Sequence, residues 1–345
     1  MMIEKLEISS SIGNSTILAG ENLGNVTKYM PDQKTAIITD VHVHELYADS
    51  FPPADVVIQL QPGESHKTMD SLSHIFDELI AHEFDRSSFI LAIGGGIVCD
   101  VAGFAASIFM RGVEFGFVSS TLLSQVDASV GGKNGVNFRG YKNMIGNFNL
   151  PSFVICDPLM LKTLPDDEIL CGMGEVIKHG LIASLPLFEY IEQHTDKIHT
   201  DYPEVFTRFV YDSVVIKSQV VNADAREKGE RRKLNFGHTF GHAFEKTLKI
   251  PHGMAVGLGM VIAAKISVLR GFISEHEVDR IVQLLQKIGM RTDISLSPEE
   301  LFSALKHDKK REGENVHFVL LTGIGSSIVE KISLTELENI IYDLY

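Results

Sequence analysis

The segment FILAIGGGIVCDVAG, from Phe89 to Gly103, joins an apolar run to three consecutive glycines and then to a second apolar segment. The first run predicts a buried strand, and the segment after the glycines predicts a helix. Glycine lets the backbone approach a phosphate closely, and a helix N-terminus offers free N–H groups and a positive dipole end. The triplet is not the GxGxxG fingerprint. It therefore predicts either a phosphate site around Gly95 and Gly96 or only a tight strand-to-helix turn.

Short apolar runs alternate with amphipathic segments through the first half of the chain. The runs that predict buried strands are residues 35–40, 56–60, 88–96, 113–120 and 151–158. Residues 67–84 and 97–110 carry apolar side chains at helical spacing. Strands that alternate with helices indicate βαβ units, in which helices cover a parallel sheet. We therefore expect a Rossmann-like, nucleotide-binding α/β domain over residues 1–160.

The pattern changes after residue 160. The segments that predict helices there are residues 166–184, 204–223, 235–245, 252–269 and 275–289. Only residues 317–321 and 326–332 have the composition of strands. The predicted fold class is therefore α/β plus all-α, with a mainly helical domain over residues 161–345.

Composition excludes several classes of protein. The 345 residues include 45 acidic and 31 basic side chains, for a formal charge of −14, so we expect no nucleic-acid partner. The N-terminus lacks the apolar core of a signal peptide, and the most apolar segment, residues 253–269, contains Lys265. We therefore expect no membrane partner. Three widely spaced cysteines argue against disulfides and a thiolate zinc site and predict a cytoplasmic protein.

Polar residues near the ends of the predicted strands extend the phosphate site to a dinucleotide site. Asp40 ends one strand, at the sheet edge where a carboxylate can bind a ribose hydroxyl. Glu64 and Lys67 lie in the loop after the next strand. Asp100 lies one turn into the helix after the glycines, where the helix dipole stabilises a carboxylate with or without a nicotinamide nearby. Together these residues fit NAD better than a lone phosphate.

Residues 111–143 contain a second group of candidates. The basic and amide side chains in or beside glycine-rich turns are Arg111, Lys133, Lys142 and Asn143. In an acidic protein this placement indicates an anion pocket, with surface lysines as the alternative. Ser120 and Thr121, at a strand-to-helix junction, either cap the helix or bind a diphosphate. Asp127 is either a surface carboxylate or a group that orients Lys133.

The segment NFGHTFGHAFE, residues 235–245, places His238 and His242 four residues apart on one face of a predicted helix. Such a pair is most often two hydrogen-bonded side chains. A catalytic zinc site typically uses three protein ligands, and Glu175 and His252, each beside a glycine, are candidates for the others. Spacing alone does not decide whether His242 replaces one of these ligands.

Several blocks of sequence together resemble one family. They are PGE..K at 62–67, GGG...D at 94–100, TLLSQVDASVGGK at 121–133, YKNMIG at 141–146, EVIKHG at 175–180, EKGERRKLNFGHTFGHAFE at 227–245, HG at 252–253 and DKK at 308–310. Over nearly its whole length the chain resembles the 3-dehydroquinate synthases of the sugar phosphate cyclase superfamily. This resemblance implies conversion of 3-deoxy-D-arabino-heptulosonate 7-phosphate to 3-dehydroquinate and phosphate. It also implies bound NAD, one divalent metal ion (Zn²⁺ or Co²⁺) and a homodimer.

The resemblance also implies roles for individual residues. The metal ligands would be Glu175, His238 and His252. The catalytic and substrate-facing residues would be His242, Asp127, Lys133, Lys178, Lys217, Arg231 and Asn235. The substrate phosphate would contact Arg111, Lys133, Asn143 and Lys309. Besides Asp40, the NAD contacts would be Glu64, Lys67, Gly95, Gly96, Asp100, Ser120, Thr121, Lys142, Thr163 and Leu164.

Some positions depart from the family pattern. Met254 stands where the family generally has Glu, which predicts weaker support for the neighbouring His252. Gly174 replaces an Ala, Ser119 and Ser120 replace Pro-Thr, and FNLP at 148–151 replaces an aromatic-Gln-Pro run. The alternatives are therefore another sugar phosphate cyclase or a metal- and NAD-dependent polyol dehydrogenase. A nonenzymatic NAD-binding scaffold is disfavoured, because buried charged residues without a function are costly.

Overall fold

The computed structural model describes residues 3–198, 204–293, 296–306, 311–312 and 315–344. The chain forms two compact units. The first comprises Met1–Leu164 and Tyr202–Ala225, and the second comprises Pro165–Asp201 and Arg226–Tyr345. The predicted division at residue 160 differs from this one chiefly in the segment Tyr202–Ala225, which returns to the first unit.

The first unit contains a seven-stranded sheet and a hairpin. The strands are β1 Glu4–Ser10, β2 Gly13–Ala19, β3 Thr35–Asp40, β4 Val56–Leu60, β5 Phe89–Gly94, β6 Glu114–Ser119, β7 Lys133–Phe138, β8 Tyr141–Phe148 and β9 Phe153–Cys156. The sheet order is β1-β2-β9-β6-β5-β3-β4, while β7 and β8 form a separate antiparallel pair. All neighbours in the sheet are parallel except β1 and β2. Strand β5 lies inside the sheet, between β6 and β3, and is buried along its whole length, as expected for a parallel strand covered on both faces.

Four α-helices of this unit lie in the part of the chain that the structure describes. They are α1 Val41–Tyr47, α2 Met69–Ala81, α3 Gly96–Ile108 and α6 Glu204–Ala223. Helix α3 links β5 to β6 and begins at the glycine triplet, as the sequence predicted. A Cβ on Gly95 would lie 2.9 Å from Thr121 Cγ2, and one on Gly96 would lie 2.9 Å from Ala128 Cβ. These two glycines therefore have a packing role as well as any role toward a phosphate.

The second unit is mainly helical. Its helices are α4 Asp166–Ala183, α5 Leu185–Gln193, α7 His238–Leu248, α8 His252–Leu269, α9 Glu275–Lys287, α10 Pro298–Lys306 and α11 Leu334–Asp343. An antiparallel sheet of β10 Arg311–Glu312, β11 Asn315–Gly323 and β12 Ser326–Ser333 packs beside them. The predicted fold class, an α/β half followed by a helical half, is confirmed by this architecture and by the solved structures that share it.

Helices α4, α7 and α8 approach one another unusually closely. A Cβ on Gly253 would lie 2.0 Å from Cys171 O, and a Cβ on Gly174 would lie 2.8 Å from Gly253 O. A Cβ on Gly259 would lie 1.9 Å from Gly237 O, so α8 also contacts the start of α7 through glycine. Because no larger residue fits at these positions, glycine allows the three helix backbones to lie this close together.

Contrary to the expectation from the sequence, one helix among the described residues, His252–Leu269, is long and apolar enough to cross a membrane. However, 72% of it is buried within the protein. It packs against α4, α7, α9 and β11 of the second unit. The apolar composition of α8 is therefore that of a core helix.

Candidate active site

Three side chains from three helices of the second unit form a group that can hold a metal ion. Glu175 lies in α4, His238 begins α7 and His252 begins α8. Their nearest ligand atoms all lie within 4.8 Å of one another. Glu175 Oε1 is 3.6 Å from His238 Nε2 and 3.8 Å from His252 Nε2. The close helix packing at the glycines brings together three donors that are far apart in the sequence.

Each histidine of this group has its other ring nitrogen engaged. His238 Nδ1 donates to the carbonyl of Phe236 at 3.2 Å, and His252 Nδ1 donates to Glu245 Oε2 at 3.0 Å. These contacts orient both Nε2 atoms toward Glu175. In metal sites, hydrogen bonds to the ring nitrogen that does not bind the metal orient the histidine in the same way. The sequence predicted weak support for His252 because Met254 lacks a carboxylate. Glu245, one turn from the end of α7, supplies that carboxylate instead.

Charge at this group favours a cation. Burial opposes protonation of His252, but the hydrogen bond that it donates to Glu245 and the negative charges of Glu175 and Glu245 outweigh this effect, so the pKa of His252 is raised above its ordinary 6.5. The same negative charges that favour a proton here also favour a metal ion.

The two oxygens of the Glu175 carboxylate have different surroundings. Its side chain is fully buried, and Oε2 accepts a hydrogen bond from Lys178 Nζ. Within the described part of the chain, Oε1 has no hydrogen-bond partner. An unsatisfied buried carboxylate oxygen is costly, and a cation would satisfy it. Two imidazole nitrogens and one carboxylate oxygen are typical of catalytic zinc, so the residues fit a divalent metal.

His242 is not part of this group of donors. Its ring centre lies 5.6 Å from that of His238 and 6.2 Å from that of His252. It is half-buried and lies one helical turn along α7 from His238. The geometry of the described residues thus groups His252, rather than His242, with Glu175 and His238.

Other predicted residues of the second unit lie near the same helices. Lys178 and Arg231 are almost fully buried, and Asn235 Nδ2 donates to Glu227 Oε1 at 2.6 Å. Glu227 was not among the predicted residues. Its place at the start of the block at 227–245 is the sequence signal that could have identified it as a site residue. Its φ of 58° is a second signal, which only the structure gives.

In the first unit, the predicted cofactor residues form a polar network. Lys67 Nζ contacts Asp100 Oδ2 and donates to Asn143 Oδ1 at 2.6 Å. Asn137, which the sequence did not indicate, donates from Nδ2 to Glu64 Oε1 at 2.9 Å. Burial raises the pKa of Asp100, and the opposing charge of Lys67 does not fully offset this. Two residues expected to contact NAD and one expected to contact phosphate thus lie together.

Asp127 contacts a lysine that the sequence did not pair with it. It belongs to a π-helical turn, Ser124–Ala128, a type of turn that often occurs at functional sites. Lys217, from α6, donates through Nζ to both the backbone carbonyl and Oδ1 of Asp127. The return of α6 to the first unit therefore places Lys217 beside Asp127.

Several other predicted residues have local structural contacts. Asp40 caps α1 by accepting from the backbone N–H groups of His42 and Val43. Thr121 Oγ1 accepts from Ser124 N at 3.2 Å, which is a capping contact, and Ser120 N donates to Gly94 O at 2.9 Å.

The remaining predicted residues of the first unit lie at its surface. Thr163 Oγ1 lies 2.7 Å from Tyr47 OH, and Leu164 beside it is half-buried. The exposed cations are Arg111, Lys133 and Lys142. Lys309 lies outside the described residues.

The three cysteines are not in the groups of described residues that could hold a metal ion. All three are buried and free. Cys171 is one turn before Glu175, and its Sγ accepts from Gly253 N at 3.2 Å. Burial raises the pKa of this thiol to about 12, so it is protonated near neutral pH rather than a thiolate.

Comparison with known proteins gives consistent matches across the chain. Residues 57–171 match the family model for the 3-dehydroquinate synthase N-terminal region, and residues 172–311 match the model for its C-terminal region. A 3-dehydroquinate synthase of Halorhodospira halophila is 41% identical over 313 residues, covering 89% of this chain and 88% of that protein. One from Thermoanaerobacter pseudethanolicus is 39% identical over 329 residues, covering 92% of each.

Solved structures share the fold. A 2-deoxy-scyllo-inosose synthase complexed with carbaglucose-6-phosphate, NAD+ and Co2+ is 28% identical, with a TM-score of 0.86 and coverage of 99% of this chain and 100% of that one. A 2-epi-5-epi-valiolone synthase from Streptomyces hygroscopicus, with NAD+ and Zn2+ bound, is 25% identical, with a TM-score of 0.84 and coverage of 100% and 99%. A sulfoacetaldehyde reductase from Bifidobacterium kashiwanohense, 14% identical with a TM-score of 0.70, shares the fold alone.

Proposed function

This chain belongs to the 3-dehydroquinate synthase family, and from that premise we propose that it converts 3-deoxy-D-arabino-heptulosonate 7-phosphate to 3-dehydroquinate and phosphate, with NAD and a divalent metal ion as cofactors. The structural observation that carries the proposal is the buried Glu175 Oε1, which has no hydrogen-bond partner among the described residues and faces the Nε2 atoms of His238 and His252. The NAD- and metal-containing structures of related cyclases support the choice of cofactors.

The cofactors and the chain divide the chemistry between them. When bound, NAD would supply a reversible hydride acceptor, and a metal ion held by Glu175, His238 and His252 would lower the pKa of the hydroxyl that is oxidised. Because the hydride is returned, the reaction has no net redox change. Oxidation acidifies the neighbouring C–H, phosphate leaves, and after the ring opens an intramolecular aldol step closes the carbocycle.

Residues of the second unit would hold the metal and position the substrate. Glu175, His238 and His252 would be the ligands, with His252 held by Glu245. His242, one turn from His238, would be a polar group that moves a proton at a substrate hydroxyl. Buried cations suit a substrate that bears a carboxylate, and those proposed here are Lys178 and Arg231.

Residues of the first unit would bind the cofactor and the phosphate. The polar network of Glu64, Lys67 and Asp100 lies beside the helix that follows the glycine triplet, which supports an NAD site there. Asn143 and the exposed cations Arg111 and Lys133, with Lys309, would bind the substrate phosphate. The other NAD contacts remain predictions, and they are Ser120, Thr121, Lys142, Thr163 and Leu164. Lys217 would orient Asp127, the second candidate for proton transfer.

Another sugar phosphate cyclase activity is the second candidate. The observation that favours it is the high structural similarity to the inosose and valiolone synthases, with TM-scores of 0.86 and 0.84. Sequence identity favours the first candidate, because it is 41% to a 3-dehydroquinate synthase but only 28% and 25% to those two enzymes.

The deciding experiment is phosphate release by purified, metal-loaded protein with NAD. Heptulosonate 7-phosphate and sedoheptulose 7-phosphate are compared as substrates, while NADH absorbance is followed. We expect phosphate from the first substrate and no accumulation of NADH. Turnover of only the second substrate would assign a different cyclase activity, and stoichiometric NADH accumulation would assign a dehydrogenase.

We also infer a homodimer in the cytoplasm. The hairpin of β7 and β8 carries several large apolar side chains at the surface of a single chain, namely Phe138, Tyr141, Met144 and Phe148. Such a patch is typical of a protein interface and supports the dimer that family membership suggests. Three free, buried thiols support a reducing compartment.

A further inference from the structure

Asn137 occupies an irregular position in the β7–β8 hairpin. Val136 pairs with Ile145 and Phe138 pairs with Tyr141, so the register shifts at Asn137. Residues 142–144 of β8 lie opposite Asn137 alone, so Asn137 lies outside the regular strand pairing and its polar groups are available for other partners.

One set of these partners is the loop that carries Glu64 and Lys67. The backbone N–H of Asn137 donates to Lys67 O at 2.8 Å. Its side-chain Nδ2 donates to Glu64 O at 3.2 Å and to Glu64 Oε1 at 2.9 Å. A single residue therefore fixes the path of this loop and orients the Glu64 carboxylate.

The other partner lies on the opposite strand of the hairpin. Asn143 has a φ of 48°, in the left-handed region that side chains rarely adopt, and its backbone N–H donates to Asn137 Oδ1 at 2.9 Å. This hydrogen bond stabilises the strained backbone of Asn143. The Asn143 side chain in turn accepts from Lys67 Nζ at 2.6 Å, which closes a ring of contacts through Glu64, Asn137, Asn143 and Lys67.

We propose that Asn137 is a positioning residue, which holds the cofactor-binding residues Glu64 and Lys67 through its donor and the phosphate-binding Asn143 through its acceptor, and so supports the binding of both NAD and the substrate phosphate. The inference rests on the proposed function, in which the other three residues contact ligands. Asn137 itself acts through them, because both its Nδ2 and its Oδ1 are already engaged by protein atoms.

Two variants separate the hydrogen bond that the Asn137 side chain donates to Glu64 from the one that it accepts from the backbone of Asn143. Asn137→Ala removes both contacts of the side chain. Asn137→Asp keeps an acceptor for the N–H of Asn143 but replaces the donor to Glu64 with an oxygen, so that two carboxylates face each other. The dissociation constant of NAD is measured by calorimetry on the full-length, metal-loaded protein. The kcat and KM for heptulosonate 7-phosphate are measured by phosphate release at saturating NAD.

For Asn137→Ala we expect both the NAD dissociation constant and the substrate KM to rise about tenfold, with kcat within about threefold of the wild type. For Asn137→Asp we expect at least the same loss of NAD affinity, but a substrate KM within about threefold of the wild type. A residue with only a structural role would not produce this split.

Asn147→Ala, on β8, is the matched control, because Asn147 Oδ1 has no hydrogen-bond partner among the described residues. It should leave both constants within about twofold of the wild type. The proposal would be overturned if Asn137→Asp raised the NAD dissociation constant and the substrate KM by the same factor, as Asn137→Ala does. It would also be overturned if the variants lowered only the melting temperature and left NAD affinity unchanged. Either result would show that Asn137 is a structural anchor. If Asn137→Ala does not fold, the split in Asn137→Asp decides alone.

Failure of the proposed function would look different. In that case the wild-type protein would release no phosphate from heptulosonate 7-phosphate, whatever the behaviour of the variants. The NAD titrations do not depend on turnover, so an unchanged NAD affinity in both Asn137 variants would still overturn the inference, and a selective loss would still support its cofactor half.

Discussion

At the scale of single residues, Glu175 shows how one carboxylate can serve two partners. Lys178 occupies Oε2, while Oε1 faces the nitrogens of His238 and His252. The lysine neutralises part of the charge in a buried environment and leaves the second oxygen for a cation. The carboxylate is thus held in position before any metal binds.

Replacing Glu175 with Gln should abolish metal binding at this site. The amide has the same shape but no negative charge, so we expect metal affinity to fall by at least about a hundredfold and activity to fall with it. Metal content after dialysis and phosphate release are the measurements. Glu168→Gln, an exposed carboxylate in the first turn of the same helix, is the control. Wild-type metal content in the Glu175 variant would show that the metal lies elsewhere.

Glu245 should control the strength and the pH dependence of metal binding. A proton on His252 competes with the metal, and the pKa of His252 is raised, so in the wild type affinity should begin to fall at a higher pH than for an ordinary histidine. Glu245→Gln lowers that pKa and also weakens the ligand. We therefore expect about tenfold weaker Co²⁺ binding at pH 8 and a fall in affinity displaced to lower pH. Titration followed by the Co²⁺ absorption spectrum tests both, and identical pH profiles would exclude this role.

At the scale of secondary structure elements, the glycines of α4 and α8 determine how closely the metal ligands approach. Gly174 stands next to Glu175, and Gly253 stands next to His252. The contact between these glycines sets the separation of the two ligands. A departure from the family pattern, Gly for Ala at 174, therefore lies at one of the close contacts between these two helices.

Gly174→Ala should destabilise the second unit and disturb the metal site. The new Cβ would lie 2.8 Å from Gly253 O, so α8 has to shift, at a cost of about 1–3 kcal/mol. We expect a lower melting temperature and weaker metal binding.

The matched control for this change is Gly257→Ala on α8. There a Cβ meets the flexible side chain of Met290 at 3.3 Å and gains helix propensity, so stability should change little or rise. Equal effects of the two substitutions would refute the packing argument. Calorimetry of the metal-free and metal-loaded forms measures both variants.

At the scale of the whole molecule, two compact units carry different parts of the proposed chemistry. The first contains the polar network around Lys67, and the second contains the group of Glu175, His238 and His252. The first unit also carries the β7–β8 hairpin, whose exposed apolar side chains form the proposed dimer interface.

Met144→Asp should weaken that dimer. Met144 is 49% exposed in the single chain, and a charge in a desolvated interface is unfavourable. We expect the variant to sediment as a monomer at concentrations where the wild type is a dimer. Leu46→Asp, at an exposed apolar position in α1, is the control and should stay dimeric. A dimeric Met144 variant, or a monomeric wild type, would move the interface elsewhere or exclude it.

Much of the fold was predictable because its strongest signals are local. Strands β3 and β4 coincide with the predicted residues 35–40 and 56–60, since buried parallel strands appear as short, continuous apolar runs. Helices α6 and α8 coincide with the predicted segments 204–223 and 252–269, which are too long and too rich in apolar residues for single strands. The strands β1, β7 and β8 were not predicted, because half-exposed strands with mixed polarity have a weak pattern.

The sequence by itself determined most of the buried strands and long helices, the family and the chemical types available for a site, because these depend on residue identity and on spacing within a few turns. Only the tertiary structure decided which side chains meet. Glu245 supports His252, Lys217 from the returning helix α6 meets Asp127, and Asn137 joins two segments of ligand-binding residues. The last two of these contacts join residues separated by about 70 or more positions, so they depend on the path of the chain and on glycine-limited packing, which local periodicity does not record.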